Sequence, residues 1–215
     1  MGDIDKHLEQ LRVEYSKKTL SRMEAHTDPI EQFAQWFKEG MAADLQDLNV
    51  AHLSTVAQGK PSTRVILLRS YSERGFVFYT NYNSSKGRAI AENPNVSLNI
   101  FWWPLERQIR IEGVATKIPF EESVAYFNGR PRDSQIGAWA SDQSEMIEDR
   151  RSLDEKYAEM ESRFEGKDIP CPENWGGYIV TPTSIEFWQG RESRLHDRLR
   201  YDIDNGKAVV RRLQP

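Results

Sequence analysis

The alternation of hydrophobic and polar positions predicts two helices at the start of the chain. Apolar side chains in residues 4–20 recur at spacings of four, three and four, which is typical of one helical face. A second helix is predicted to begin at the cap residue Asp28, because Pro29 suits a first turn and Glu31 follows at the capping-box position. The N-terminal helical segment would extend over about residues 3–42. The buried stripe of the second helix would consist of Ile30, Phe33, Trp36 and Phe37.

From residue 50 onward, short runs rich in β-branched and aromatic residues alternate with turn signals. The runs 50–57 and 62–69 flank Gln58-Gly59-Lys60-Pro61 and predict a hairpin, and Asn205-Gly206 predicts another. Further strands are predicted at 76–80, 96–103, 107–118, 177–181, 184–189, 195–203 and 207–213, and helices at 84–91, 121–128 and 146–164. Strands at both ends with helices between them predict one α+β domain over residues 1–215, mainly β, with an antiparallel barrel or closed sheet.

Composition and charge exclude several classes of function. A net charge of -4 with 29% charged residues gives no indication of a nucleic-acid partner. Cys171 is the only cysteine, which excludes an intrachain disulfide and a cysteine-rich metal site, and favours a cytoplasmic location. The four histidines lack metal-ligand spacing, and glycine-rich nucleotide motifs and the nucleophile elbow are missing. We expect no metal, and no run approaches the roughly 20 apolar residues of a membrane span.

Arginines in strand and turn segments provide the first chemical signal. Guanidinium groups match phosphate geometry, so this supply favours an anionic small molecule. Arg64 and Arg69 bracket an aliphatic run on opposite faces of a predicted strand, and Ser84-Ser85-Lys86 precede a predicted helix whose free N–H groups suit a phosphate. Alone, the first pattern is more typical of solvated strand ends, and the second of an ordinary helix cap.

Residues 126–139 concentrate polar donors. Their sequence, Tyr-Phe-Asn-Gly-Arg-Pro-Arg-Asp-Ser-Gln-Ile-Gly-Ala-Trp, is interpreted as a turn in which two arginines, a serine and a nearby tyrosine converge on one phosphate. Such a density of donors beside Trp139 favours a binding site over an ordinary surface loop.

A second concentration of charge occupies residues 193–198. Strand alternation places Arg194, His196 and Arg198 on one cationic face. An isolated histidine would more often be structural, hydrogen-bonded here to Asp133 or Asp197, but the flanking arginines favour a functional role.

These segments, with Phe78-Tyr79-Thr80-Asn81, Leu105-Glu106-Arg107-Gln108 and Ile185-Glu186-Phe187-Trp188-Gln189-Gly190, resemble the pyridoxine 5'-phosphate oxidase family from about residue 11 to residue 215. The most specific motifs are Arg-Pro-Arg-Asp-Ser-Gln-Ile-Gly-Ala-Trp and Arg-Leu-His-Asp-Arg, in this order. The resemblance implies an FMN-binding split β-barrel with flanking helices, working as a homodimer with each flavin at the subunit interface. It implies oxidation of pyridoxamine or pyridoxine 5'-phosphate to pyridoxal 5'-phosphate, with hydride transfer from C4' to flavin N5 and reduction of O2 to H2O2.

The resemblance also implies the site residues. FMN would be bound by Arg64, Val65, Ile66, Leu67, Leu68, Arg69, Tyr79, Thr80, Ser85, Lys86, Gln108, Gln143, Ser144, Trp188 and Arg198. The substrate would be bound by Arg12, Tyr15, Arg69, Tyr126, Arg130, Ser134, Arg194 and His196, of which Arg194 and His196 would be catalytic. Arg69 replaces the usual lysine, and Ser85 stands where an arginine often precedes the lysine, so the FMN phosphate would have one cation fewer.

Two other functions stay open at this stage. A related split-barrel oxidase of the phenazine-pathway type should lack part of the substrate-phosphate set, which this chain retains. A non-catalytic flavin- or pyridoxal-phosphate-binding protein is disfavoured by Arg194 and His196. The residues do not rank the amine against the alcohol substrate or assign proton transfer to either residue. They leave open a secondary pyridoxal 5'-phosphate site and closure of the N-terminal helix over the ligand.

Overall fold

The computed structural model describes residues 15–215 and divides them into two compact units, each assembled from separated stretches of sequence. The first unit contains residues 15–48, 99–111 and 184–215, and the second contains residues 49–98 and 112–183. The sequence-based prediction of a single domain stays a prediction.

The helices and strands are numbered along the chain. The helices are α1 Pro29–Ala42, α2 Ser85–Glu92, α3 Phe120–Asn128, α4 Arg132–Ala140 and α5 Arg150–Arg163. The strands are β1 Val50–Ala57, β2 Lys60–Leu67, β3 Ser70–Ser72, β4 Gly75–Asn81, β5 Asn95–Trp102, β6 Arg107–Lys117, β7 Trp175–Gln189, β8 Asp197–Asp204 and β9 Lys207–Arg212. The strand order is β2-β1-β5-β6-β7-β4-β3, with β8 beside β7 and β9 beside β8. The pairs β1/β2, β3/β4, β4/β7, β7/β8 and β8/β9 are antiparallel, so the predicted α+β class with an antiparallel sheet is confirmed.

Helix α1 forms in the first unit because its sequence both caps and buries it. The Asp28 carboxylate accepts a hydrogen bond from the amide two residues later at 2.7 Å, and Pro29 occupies the first turn, where a missing N–H costs nothing. Phe33 and Trp36 are buried, and Trp36 packs edge-on against Phe187 with 5.2 Å between ring centroids. The predicted cap and the centre of the predicted apolar stripe are confirmed.

Two tight hairpins have the backbone conformation that their sequences indicate. Between β1 and β2, Gln58 and Gly59 have φ angles of 50° and 71°. Between β8 and β9, Asn205 and Gly206 have φ angles of 49° and 74°. A two-residue turn with two left-handed residues matches the twist of an antiparallel pair, which is why glycine and asparagine are favoured there. Both predicted hairpins are confirmed.

The structure corrects the predicted helix at the start of the chain. Residues 15–20 are not helical; the rest of that prediction, residues 4–14 including Arg12, lies outside the described residues. The backbone N–H groups of Ser16 and Lys17 donate to the carboxylate of Glu106 at 2.9 and 3.1 Å instead of to a helical turn. Hydrogen bonds to a distant side chain therefore replace the local ones that the apolar spacing suggested.

Three other boundaries differ from the prediction. The segment interpreted as a turn contains helix α4, which Pro131 initiates at its N-cap. Helix α5 begins only at Arg150, because the side chain of Asp149 accepts a hydrogen bond from the amide of Ser152 at 2.8 Å and thus caps it. The two strands predicted at 177–181 and 184–189 are the single strand β7, which runs through Pro182.

Candidate active site

A pair of cations lies at the start of helix α2 in the second unit. Ser84 caps this helix by accepting a hydrogen bond from the amide three residues later at 3.3 Å. The Nζ of Lys86 is 3.3 Å from Thr80 Oγ1 and 3.3 Å from Gln143 Oε1. Burial and the positive charge of Arg64 lower the pKa of Lys86, since both disfavour its ammonium form. An anion bound here would relieve this repulsion.

Arg64 is held on β2 by uncharged acceptors. Its Nη1 donates to the carbonyl of Leu53 at 3.2 Å and to Thr55 Oγ1 at 2.8 Å, and its Nη2 donates to Ser62 Oγ at 2.9 Å. In the part of the chain that the structure describes, the hydrogen-bond partners of Arg64 and Lys86 are all uncharged oxygens. The donor set thus fits a phosphate, because neither positive charge is neutralised by a carboxylate. We call Arg64, Thr80, Lys86 and Gln143 the Lys86 cluster.

Stacked aromatic rings accompany Arg130 in the same unit. Tyr79 stacks on Tyr126 with 3.8 Å between ring centroids and on Trp175 with 5.5 Å, at interplanar angles of 9° and 12°. The Arg130 Cζ lies 4.6 Å from the centroid of the Trp175 ring, a cation–π distance. Among the described residues the buried Nη1 of Arg130 has no hydrogen-bond partner, which fits an anion as its acceptor. We call Tyr79, Tyr126, Arg130 and Trp175 the Arg130 cluster.

The electrostatics around Arg130 also favour an anion. Burial lowers the pKa of Arg130; the phenol of Tyr126 opposes this shift, and the positive charge of Arg69 adds to it. Arg69 is itself exposed and lies beyond the end of β2, so its predicted place within a strand is wrong. Ser134 is in the first turn of α4, where the helix dipole provides partial positive charge.

One cavity of about 410 Å³ in the second unit is lined by residues of both clusters. Thr80 and Gln143 contribute from the Lys86 cluster, and Arg130 and Trp175 contribute from the Arg130 cluster, together with Ser134. The volume suits small-molecule ligands, and the cationic side chain of Arg130 is part of its lining. The structure therefore brings Thr80 and Gln143 of the predicted FMN set to the same cavity as Arg130 and Ser134 of the predicted substrate set.

A second group of predicted residues meets in the first unit. The Tyr15 ring makes edge contacts with Trp188 at 5.7 Å and with His196 at 5.8 Å between centroids, and Trp188 lies 4.6 Å from His196. Gly190 permits this arrangement, because a Cβ there would lie 2.7 Å from Tyr15 Cγ. We call Tyr15, Trp188 and His196 the His196 cluster.

The hydrogen bonding of His196 defines its protonation. Its Nδ1 accepts a hydrogen bond from the amide of Arg191 at 3.1 Å, so the neutral ring carries its proton on Nε2. Its partner at Nδ1 is thus a backbone amide and not a carboxylate. Burial lowers the pKa of His196, and the charges of Arg194 and Arg198 lower it further. The ring is therefore neutral near pH 7 and can donate through Nε2.

The cationic face predicted from strand alternation is wrong in its geometry. Glu192–Arg194 forms a short 3-10 turn, Arg194 has a φ angle of 60°, and β8 begins only after His196. Arg198 does lie on β8, but its Nε donates to Glu186 Oε1 at 2.7 Å. This hydrogen bond raises the pKa of Arg198, and the carboxylate already neutralises its charge.

The remaining predicted residues are distributed as follows. On β2 and just beyond it, Ile66 and Leu68 are buried, whereas Val65 and Leu67 are exposed. Ser85 is the first residue of α2, Gln108 is half-buried on β6, and Ser144 is exposed with a φ angle of 76°. The first unit contains Tyr15, Gln108, Trp188, Arg194, His196 and Arg198, and the second contains the other described site residues. Within residues 15–215, no group of three or more His, Cys, Asp or Glu side chains is arranged to hold a metal ion.

Comparison with known proteins decides the family. Residues 37–164 match the family model described as pyridoxamine 5'-phosphate oxidase. The chain belongs to the pyridoxamine 5'-phosphate oxidase family. Residues 175–215 match the model of the pyridoxine 5'-phosphate oxidase C-terminal dimerisation region. The family predicted from the sequence motifs is therefore confirmed.

Curated oxidases of this family align over nearly the whole chain. A pyridoxine/pyridoxamine 5'-phosphate oxidase from Rubrobacter xylanophilus is 52% identical over 206 residues, covering 95% of each chain. One from Nostoc punctiforme is 49% identical over 215 residues, covering 99% of this chain and 100% of the relative. The identity therefore extends over nearly the full length of both relatives.

Solved structures agree with the predicted fold class. PhzG from Burkholderia lata, in complex with tetrahydrophenazine-1-carboxylic acid, superposes with a TM-score of 0.87 at 30% identity and covers 93% of this chain and 100% of its own. A pyridoxamine 5'-phosphate oxidase-related, FMN-binding protein from Nostoc punctiforme gives a TM-score of 0.68 at 15% identity, covering 92% and 100%. The second likeness concerns the fold alone and confirms the predicted class.

Sequence reasoning missed Trp175. Its signal is the run Trp175-Gly176-Gly177 at the start of β7. A Cβ at Gly177 would lie 3.0 Å from the ring of Tyr79, and one at Gly176 would lie 2.2 Å from the hydroxyl of Tyr82. Two glycines beside an aromatic residue could have indicated that other rings approach this strand closely.

Proposed function

We propose that the chain is an FMN-dependent oxidase that converts pyridoxamine or pyridoxine 5'-phosphate to pyridoxal 5'-phosphate, with reduction of O2 to H2O2. The proposal rests on one observation: a single cavity of about 410 Å³ is lined by residues of both the Lys86 and Arg130 clusters. Two phosphate-bearing molecules, a flavin mononucleotide and a phosphorylated vitamer, account for two cationic clusters better than one ligand does. The names of the curated relatives support the same reaction.

In this proposal the second unit anchors the phosphates. Lys86 and Arg64 would hold the FMN phosphate, because their charges have only uncharged partners among the described residues. Arg130 would donate its unpartnered Nη1 to the substrate phosphate, with Arg69 adding charge and the hydroxyls of Tyr126 and Ser134 available as further donors. Anchoring the phosphate fixes the substrate so that C4' can face the flavin.

The two predicted catalytic residues would orient the substrate ring. His196, neutral and protonated on Nε2, would donate a hydrogen bond to a polar substituent of the pyridine, and Arg194 would lie nearest the reacting carbon. The chemistry that FMN supplies when bound is acceptance of a hydride from C4' and reoxidation by O2. Trp188 and Arg198 would contribute to the flavin side, in a homodimer with each flavin at the subunit interface.

A phenazine-type oxidation is the alternative, since PhzG is among the similar solved structures. Tyr126, Arg130 and Ser134 favour a phosphorylated substrate, because they would grip a group that a phenazine carboxylic acid lacks. A cytoplasmic location is part of the proposal and is supported by the single cysteine. No helix within residues 15–215 is long and apolar enough to cross a membrane.

The test is a flavin spectrum combined with an aerobic assay. Purified protein should be yellow and bind FMN, and pyridoxamine or pyridoxine 5'-phosphate should yield peroxide and pyridoxal 5'-phosphate in equal amounts. Pyridoxamine without phosphate serves as the matched control and should be a far poorer substrate. Protein that FMN cannot turn yellow, or yellow protein inert with both phosphorylated substrates, would contradict the proposal.

A further inference from the structure

Burial and backbone pairing fix the position of Trp175. It is 7% exposed and begins β7, where it pairs with Asn81 of β4. Its backbone N–H donates to the carbonyl of Pro172 at 3.0 Å. Because its backbone is held on two sides and its ring is buried, Trp175 provides a fixed surface for the side chains that contact it.

Two of those side chains belong to the proposed substrate-phosphate set. The Trp175 ring lies nearly parallel to Tyr126, at 6° and 6.3 Å between centroids, with Tyr79 stacked at 5.5 Å. Arg130 lies over the Trp175 ring at 4.6 Å and over Phe127 at 5.5 Å. Trp175 therefore contacts both a guanidinium and a phenol that would bind one phosphate.

The way in which Arg130 is held bears on function. A guanidinium has five N–H donors in its plane, and a carboxylate partner would occupy two of them and neutralise the charge. An aromatic face contacts the guanidinium from the side and leaves the in-plane donors available. By contrast, Arg107 in the first unit lies 4.3 Å from the Trp36 ring centroid but also donates to Glu39 at 2.8 Å.

We propose that Trp175 is a positioning residue for the substrate phosphate: it fixes Arg130 and Tyr126 without consuming the donors of Arg130, and so sets the preference for phosphorylated over unphosphorylated vitamers. This inference rests on the proposed function. Trp175 acts through the two side chains that it contacts, and no chemical step is assigned to it.

The experiment compares Trp175→Phe and Trp175→Leu with the FMN-loaded wild type. Pyridoxal 5'-phosphate and pyridoxal are titrated separately by calorimetry, and KM and kcat are measured with pyridoxamine 5'-phosphate. For Trp175→Leu we expect roughly tenfold weaker binding of pyridoxal 5'-phosphate and a similar rise in KM, within the range of a cation–π contact. Binding of pyridoxal and kcat should stay unchanged, and Trp175→Phe should recover part of the loss.

Trp139→Leu is the matched control, because it removes the same ring in the same unit where it contacts Phe164 and Arg163 instead of Arg130. It should leave the affinity ratio of the two vitamers unaltered. An equal loss for both vitamers in Trp175→Leu, or an unchanged ratio, would overturn the inference. If Trp175→Leu fails to fold, the ratio in Trp175→Phe decides. A wild type that neither binds nor forms pyridoxal 5'-phosphate would instead refute the proposed function.

Discussion

Arg107 and Arg198 each donate to a carboxylate, at 2.8 Å to Glu39 and at 2.7 Å to Glu186. Lys86 and Arg64 donate to carbonyl, hydroxyl and amide oxygens instead. A paired cation offers little net charge to a ligand, whereas a cation with uncharged partners keeps it. At the scale of single residues, the type of acceptor therefore distinguishes cations whose charge a carboxylate already neutralises from cations whose charge is available to a phosphate.

The first prediction concerns Lys86. Lys86→Met should raise the dissociation constant of FMN by roughly 10- to 100-fold, since a hydrogen bond to a charged group contributes about 1.5–3 kcal/mol. Fluorescence titration of the apoprotein with FMN measures this change. Lys156→Met is the control, because Lys156 is exposed and donates to Asp142 at 2.7 Å. Equal FMN affinity in the wild type and Lys86→Met would contradict the assignment.

The second prediction concerns the pH dependence of His196. Its pKa is lowered by burial and by the charges of Arg194 and Arg198, so the pH at which half of the rings are protonated should lie below the ordinary value of about 6.5. We expect kcat/KM to persist as pH falls to this value and to decline below it as the ring becomes cationic. His196→Asn keeps a donor that does not titrate, so its lower activity should lack this decline. If kcat/KM of the wild type, but not of His196→Asn, declined with a midpoint above pH 6.5, the pKa of His196 would be raised and not lowered.

The sequence predicted the types of residue at these sites better than their environment. Arg130 and His196 could be named because their motifs are specific. Their properties depend on partners that no motif contains: the face of Trp175 for Arg130, and the amide of Arg191 for His196. The left-handed backbone of Arg194 could not be predicted either, because strand alternation assumes an extended chain.

At the scale of elements, residues 15–20 form a non-helical strap held by two carboxylates. Glu106 accepts from the amides of Ser16 and Lys17, and Asp197 accepts from the amide of Leu20 at 3.1 Å. The carbonyl of Glu106 also accepts from the amide of Gly190 at 2.8 Å. Glu106 therefore links the strap to the segment against which Tyr15 packs.

The third prediction tests this link. Glu106→Ala should release the strap, so hydrogen exchange of the amides in residues 15–20 should accelerate and KM for pyridoxamine 5'-phosphate should rise several-fold, because Tyr15 would lose its place. Glu106→Gln keeps an acceptor oxygen and should restore most of the protection. Glu159→Ala, on an exposed face of α5, is the control. Unchanged exchange in Glu106→Ala would show that the strap is held by other contacts.

Local signals explain which elements were predictable. Asn205-Gly206 alone determines the conformation of its turn, and the cap residue Asp28 directly precedes the helix that it starts. The strap depends on Glu106, about 90 positions away, and a periodicity count cannot detect such a partner. The turn and the cap were therefore predictable because the determining contact is close in sequence, and the strap was not because its partner is distant.

At the scale of the whole molecule, acid stability should depend on Glu39. Burial opposes its ionisation, but hydrogen bonds from Lys18, Gln35 and Arg107 hold its pKa at about 2, against an ordinary value of 4.5. A carboxylate with a depressed pKa stabilises the folded state above its unfolded pKa, and this contribution is lost as pH falls from about 4.5 to 2.

The fourth prediction follows from this sign. Glu39→Gln should reduce the free energy of unfolding at pH 7 by up to about 3 kcal/mol, taking about 1.36 kcal/mol per pKa unit. Urea unfolding at pH 7, 4.5 and 3 should show the difference from the wild type shrinking as the pH falls. Glu155→Gln, which changes an exposed carboxylate paired with Arg151, should follow the wild type at every pH. A constant difference across this range would refute the assigned titration.

The assembly was predictable only through the family resemblance. The dimerisation region matched by residues 175–215 contains both Trp175 and His196, so the proposed site and the subunit interface draw on the same stretch of sequence. Strand spacing and charge carry no information about a second subunit. The sequence motifs predicted the second subunit, because they identified the family.

The hydrogen bond between Leu20 and Asp197 joins residues 177 positions apart. During translation at 5–20 residues per second, the N-terminal part of the chain would wait roughly 10–35 s before its partner on β8 exists. Trp36 faces the same delay, since Phe187, against which it packs, is also made late. Newly made chains therefore expose apolar surface until synthesis is nearly finished, and their yield in the cell should depend on chaperones that bind early segments on the ribosome.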